Sequence, residues 1–245
     1  MASFIYLIIL LLVIDLMISK EPVESKQENF DYLILVNKEY KIPDDYLSKA
    51  DLIVVHNFLR EEKNHTIENM TYQHFCELKN NLQEEENITI ELDSVYRTVQ
   101  RQQEIWDKYV RDEGIDYARK YVAQPGYSEH HTGLAVDICL RINGTIVDNN
   151  TDMIAQKEIF SKIHAKLPDY GFILRFLKGK EDVTGYNYEP WHLRFVTKEY
   201  SKNITEKNIT LEEFLGKLPK KKENRDNYIN YSYSLFYAFI LFILI

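Results

Sequence analysis

Ser128-Glu129-His130-His131-Thr132-Gly133-Leu134-Ala135-Val136-Asp137 is the stretch from which the fold of this chain is read, and Glu189-Pro190-Trp191-His192 completes it far downstream. Two imidazoles and a carboxylate that meet in space are the usual three-ligand set of a catalytic zinc, with the fourth position left to water. The second segment has the form E-x-x-H. It sets a carboxylate a short reach from a ligand histidine, where a general base must sit to take a proton from water. Asp137 follows His130 by seven residues. If His130 closes a loop and Asp137 lies in the strand after it, alternation along the strand brings both side chains to one cleft, and Gly133 permits the tight approach. His192, beginning or within a neighbouring strand, supplies the third ligand. His131 points away from its neighbour in an extended strand and is read as a non-ligand. His56, His65, His74 and His164 lack partners at metal spacing and are read as surface or helix residues.

Outward from this stretch, Leu134 to Leu140 reads as a buried strand and Ile142-Asn143-Gly144-Thr145 as a hairpin-like turn. Trp191 to Val196 and Tyr170 to Phe176 read as two more strands, with a turn at Lys178-Gly179-Lys180 between them. Upstream, Tyr32 to Asn37 is a short apolar run that predicts a buried strand, and Lys38 to Asp45 with Pro43 a turn. Met70, Phe75, Leu78 and Leu82 predict a helix over 69–86, and Ile88 to Tyr96 alternates as a strand. The pattern over Thr98 to Ala118 predicts an amphipathic helix, and Gln124 to Tyr127 breaks the chain into a loop. A further helix is predicted over 152–166 and a short closing one over 210–215. Residues 46–60 show no clean period.

A chain of 245 residues with 45% hydrophobic content can bury a full core. The net charge of −8 leaves no dominant basic face, which excludes nucleic acid as the natural partner. Lys220-Lys221-Lys222 reads as part of a solvated linker. The apolar run over residues 4–18 fits a secretory signal peptide ending near Ser19, although positive charge is missing before it; an uncleaved anchor is the alternative. Asn-x-Ser/Thr occurs at Asn64, Asn69, Asn87, Asn143, Asn149, Asn203, Asn208 and Asn230, eight sites. Random placement of 17 Asn and 21 Ser plus Thr predicts about 1.5 such glycosylation acceptors, so a eukaryotic-type secretory route is expected, chance in an Asn-rich composition being the alternative. Cys76 and Cys139 form either one disulfide or two unpaired thiols.

The organisation read from these patterns is a signal peptide at 1–19, a flexible lead-in at 20–31, one domain at 32–216, a charged linker at 217–230 and a hydrophobic tail at 231–245. The tail is either a lipid-anchor addition signal or a membrane anchor, and both place the domain on a membrane surface. A monomer, secreted or displayed at the cell surface, is expected.

Arg97, at the end of a predicted strand, offers a guanidinium to the oxyanion that develops when water attacks an amide, a surface residue being the alternative reading of a lone arginine. Gln102, one turn along the following helix, is a candidate substrate ligand.

Ser128-x-His130-x-x-Gly133-x-Ala135-x-Asp137 followed by Glu189-Pro190-Trp191-His192 resembles the zinc D-alanyl-D-alanine carboxypeptidases of the VanY type, part of a wider group with lysostaphin-like peptidases and hedgehog proteins. Ser94-x-Tyr96-Arg97-Thr98 with Gln102, Pro125-Gly126, Tyr170-Gly171-Phe172-Ile173-x-Arg175 and the run from Gly179 to Glu189 extend the likeness over about residues 32–216. Val95 stands where the family has a small residue, and Thr98 where it has Ser; neither removes a reacting group. The eight sequons and the apolar tail are not typical of bacterial members.

The resemblance implies an α+β fold in which a small antiparallel sheet carries the zinc site and helices pack around it. It implies His130, Asp137 and His192 as zinc ligands, Glu189 as catalytic base, Arg97 as oxyanion stabiliser, and Ser128 and Gln102 as substrate contacts. The expected activity is removal of the terminal D-amino acid from peptidoglycan stem peptides. An endopeptidase on the same polymer, and a surface binding module that keeps zinc without turnover, are the alternatives; intact Glu189 and Arg97 weigh against the latter.

Overall fold

The computed structural model describes residues 30–56 and 65–219. The expected signal peptide, most of the lead-in, the greater part of the linker and the hydrophobic tail lie outside the described residues, as do Asn64 and Asn230.

A 3-10 turn, Tyr46–Lys49, leads into β1 (Leu52–Val55), which pairs antiparallel with β2 (His65–Glu68). The Glu68 carboxylate accepts from the Met70 and Thr71 amides and caps α1 (Asn69–Glu86), an anion placed where the helix leaves donors unpaired. Phe75, Leu78 and Leu82 recur at helical spacing on α1 and are buried, as the periodicity predicts. The next elements are β3 (Thr89–Ser94), α2 (Val99–Glu113) and α3 (Ile115–Tyr121). A hairpin of β4 (Ala135–Ile142) and β5 (Thr145–Val147) follows, then α4 (Asn150–Ala155) and α5 (Lys157–Lys166). The chain ends with β6 (Phe172–Leu174), α6 (Glu181–Thr184), β7 (His192–Phe195), α7 (Lys198–Glu206) and α8 (Leu211–Phe214).

The main sheet runs β3-β4-β7-β6, with β5 also paired to β4, and every pairing is antiparallel. It is the expected small antiparallel sheet among helices. Alternation along the strands gives it two unlike faces. Ile90, Leu92, Val136, Ile138, Leu140, Leu193 and Phe195 join Phe75, Leu78 and Leu82 of α1 and Phe160 and Ile163 of α5 in one buried cluster. Each such side chain contributes about 1.5–3 kcal/mol by leaving water. Asp137, His192 and Arg194 alternate with these residues, so their strand positions assign them to the opposite face.

Several sequence-based expectations are corrected. Tyr32 to Asn37 is no strand. Ile34, Leu35 and Val36 are buried, but the Tyr32 and Ile34 carbonyls accept from the Arg194 guanidinium, not from a neighbouring strand. The helix over 98–118 is two helices, because Gly114 at φ +89° interrupts the helical backbone. The helix over 152–166 is likewise divided at Gln156, and it starts earlier because Asn149 accepts from the Asp152 amide as an N-cap. The β1–β2 pair and α7 have no counterpart in the sequence reading.

Cys76 and Cys139 are separate thiols. Burial pushes Cys139 up to about 12, which makes it inert. Four sequon asparagines have backbone duties of their own. Asn87, Asn143 and Asn208 take positive φ, a region Asn tolerates, and Asn149 caps α4.

Candidate active site

β4 and β7 pair with Asp137 opposite His192, while on its other edge Asp137 faces Ser94 of β3. The third residue arrives from the 3-10 turn Glu129–Thr132, which closes on Gly133 at φ +77°. A Cβ on Gly133 would stand 3.0 Å from a Leu52 methyl and 3.2 Å from the Glu68 amide nitrogen, so the backbone passes where only glycine fits. The compact turn, not the extended strand expected at 130–131, brings His130 back over β4.

His130 is buried, and its Nδ1 lies 2.7 Å from the Val95 carbonyl. A carbonyl only accepts, so Nδ1 carries the hydrogen and Nε2 offers its lone pair, 3.0 Å from Asp137 Oδ2. Burial, and next the Arg97 charge, push His130 down to about 4, a neutral ring fit to bind a metal. His192 Nδ1 lies 2.9 Å from Asp137 Oδ1 and its Nε2 3.2 Å from Glu129 Oε2. Burial opposes a charge on His192, yet hydrogen bonds to Asp137 and Glu129 outweigh it and lift the ring to about 9. One ligand atom from each of His130, Asp137 and His192 lies within 4.8 Å of the others. Two imidazoles and one carboxylate at this spacing, with a ring nitrogen fixed by a carbonyl, fit a zinc site of the open, catalytic kind.

Glu189 precedes β7, with its Oε2 4.0 Å from His192 Nδ1. Burial pushes its carboxyl up to about 7, near neutral pH where proton transfer in both directions is efficient. Arg97 reaches the cluster from the end of β3. Its Nη2 donates to Asp137 Oδ2 at 2.9 Å, Nε to Ser94 Oγ at 2.9 Å and Nη1 to Gln102 Oε1 at 3.2 Å. Its backbone amide donates to the His130 carbonyl at 3.0 Å, which ties strand end to metal turn. Gln102 is buried, and its Nε2 donates to the Ala123 carbonyl at 2.8 Å. Each end of that amide makes one contact with the protein, and through its oxygen Gln102 steadies Arg97. Ser128 is buried at the wall of the same cleft of about 890 Å³ that holds Arg97, Glu189 and the three cluster residues.

His131 accepts from the Gly126 amide through Nε2 and donates to the Arg97 carbonyl through Nδ1, which leaves no nitrogen for a metal. His164 is held to the Pro190 carbonyl at 2.9 Å, and His74 stacks on Phe195. Sequence reasoning missed Glu129 and Arg194. Glu129 Oε1 accepts from Arg175 Nε at 2.6 Å and Arg194 Nη1 at 2.8 Å. Burial acts to raise the Glu129 carboxyl, but the two guanidiniums win and hold it well below the usual carboxylate range. The only available signal was alternation in β7, which puts Arg194 on the side of His192.

The family model described as VanY, D-alanyl-D-alanine carboxypeptidase, matches residues 64–198. The Bacillus subtilis (strain 168) protein YodJ is 36% identical over 211 residues, 82% of this chain and 72% of its own. The structure of the LdcB LD-carboxypeptidase superposes with a TM-score of 0.68 at 36% identity, covering 79% of this chain and 90% of that one. A VanY variant from the VanB-type resistance cassette, solved in complex with Zn(II), gives 0.60 at 29% identity, covering 75% and 98%. The matched span contains the β4–β7 pair, the metal turn and Glu189. The chain therefore belongs to the VanY family of D-alanyl-D-alanine carboxypeptidases, enzymes whose cofactor is zinc.

Proposed function

We propose that this chain removes the terminal D-amino acid from peptidoglycan stem peptides outside the cell, with zinc held by His130, Asp137 and His192. A zinc ion there supplies a Lewis acid that brings the ionisation of water towards neutral pH. Glu189 takes the proton from the attacking water and hands it to the departing amine. Arg97 has three nitrogens committed to Ser94, Gln102 and Asp137, but a guanidinium carries five N–H donors, so two remain for the oxygen of the scissile carbonyl. The carrying observation is the position of Glu189, buried and 4.0 Å from His192 Nδ1.

The LdcB likeness supports a second reading in which the bond cut is L,D. Full-length protein incubated with defined muropeptides, with and without a chelator, separates the possibilities by product mass. Loss of one D-alanine from a pentapeptide stem supports the D,D reading, and loss from a tetrapeptide the L,D reading. Cleavage inside a cross-link would make the enzyme an endopeptidase. Intact substrate would leave a zinc-holding binding module. Export is proposed from the apolar leader and the sequons, and tethering from the apolar tail.

A further inference from the structure

We infer that Glu129 is a positioning residue for the metal, choosing through His192 the ring nitrogen that zinc meets. This rests on the metal reading of His130, Asp137 and His192. The two histidines of the cluster present opposite nitrogens. His130 gives its Nδ1 hydrogen to the Val95 carbonyl and offers Nε2. His192 faces Glu129 with Nε2 at 3.2 Å and Asp137 with Nδ1 at 2.9 Å. Both neighbours are carboxylates, so contact with Asp137 alone would leave the tautomer open. In the neutral ring that a metal requires, Glu129 accepts the Nε2 hydrogen, which leaves the Nδ1 lone pair on the side of Asp137 and Glu189.

The choice is enforced because Glu129 has no freedom to turn. Its Oε1 receives Arg175 Nε at 2.6 Å and Arg194 Nη1 at 2.8 Å, so Oε2 is held towards His192. Both guanidiniums are fully buried and anchored elsewhere. Arg175 grips Glu212 of α8 with two nitrogens, at 2.6 and 2.9 Å, and Asn37 donates to the same carboxylate at 3.0 Å. Arg194 donates through Nη2 to the carbonyls of Tyr32 and Ile34. The irregular segment 32–37 and the closing helix α8 thus anchor the two arginines that flank Glu129.

A plainer role would be neutralising two buried arginines, which serves stability alone. Zinc affinity separates the two roles. Full-length wild type, Glu129→Gln and Glu212→Gln are titrated with zinc against a chelating indicator, with the metal-free melting temperature measured alongside. Glu129→Gln is expected to weaken zinc binding about 10–100-fold, the usual scale for losing an outer partner of a ligand histidine. Glu212→Gln breaks the Arg175 pair but leaves the contact to His192, so it lowers the melting temperature while zinc affinity stays close to wild type.

Unchanged affinity in Glu129→Gln, or equal losses in the two variants, overturns the role. Should a variant fail to fold, nitrogen-15 spectra of the wild-type histidines decide: His192 with hydrogen on Nε2 and zinc on Nδ1 supports the inference, and the reverse overturns it. Wild type that takes up no zinc defeats the metal reading itself, whereas zinc-binding wild type with an indifferent Glu129 defeats only the inference.

Discussion

The two faces of the β4–β7 pair are made from alternate residues of the same strands, and they obey different rules. Val136, Ile138, Leu193 and Phe195 enter an apolar cluster in which contact and volume are enough. Asp137, His192 and Arg194 lie between them in sequence, and there each polar atom is tied to a specific partner. Damage to the apolar face should therefore cost stability and spare the chemistry. Damage to the polar face should cost chemistry or metal, each residue in its own way.

Glu189→Gln should break the polar face most deeply without unfolding it. The variant should bind zinc and melt near wild type, yet lose about 10²–10⁴ in kcat, the range for one general acid–base group. Full turnover on muropeptides would remove Glu189 from the mechanism. On the apolar face, Leu193→Ala should lower unfolding free energy in urea by about 2–5 kcal/mol while zinc content and kcat/KM of the folded fraction hold. Equal damage to zinc binding would show that the faces are not separable.

Arg97→Ala should reduce kcat/KM by about 2–4 kcal/mol of transition-state stabilisation, with zinc retained; an unchanged value would exclude an oxyanion role. The mildest probe is pH. As the proposed base Glu189 would work as carboxylate, so kcat/KM should fall as pH drops through its pKa, about tenfold per unit. Burial puts that value up to about 7, and a bound cation favours the carboxylate, so the acid limb should lie at or below 7. The limb should vanish in Glu189→Gln. Its persistence there would assign it to another group.

The apolar face was the more legible in sequence. The apolar run at 134–140, the alternation at 191–196 and the helical spacing of Phe75, Leu78 and Leu82 follow directly from burying these elements. The grouping of His130, Asp137 and His192 was legible because metal ligation demands few residue types at readable spacing. What supports them was not. Glu129, Arg175, Arg194, Glu212 and Asn37 are far apart in sequence and meet only through tertiary folding. The same network misled the reading of Tyr32 to Asn37, whose composition says strand but whose carbonyls an arginine satisfies. Gln102 read as a substrate contact because its chemistry suits one, and only coordinates reveal that it also bonds Ala123 and Arg97. Thr98, a departure from the family's Ser, accepts from the Arg101 amide as the cap of α2.

The most direct test is metal analysis of purified wild type beside Asp137→Ala and Glu189→Gln. The geometry at Asp137, between His130 at 3.0 Å and His192 at 2.9 Å, predicts one zinc per chain in wild type and Glu189→Gln, and none in Asp137→Ala. One zinc per chain in Asp137→Ala, folded and freed of loosely held metal, would contradict the account.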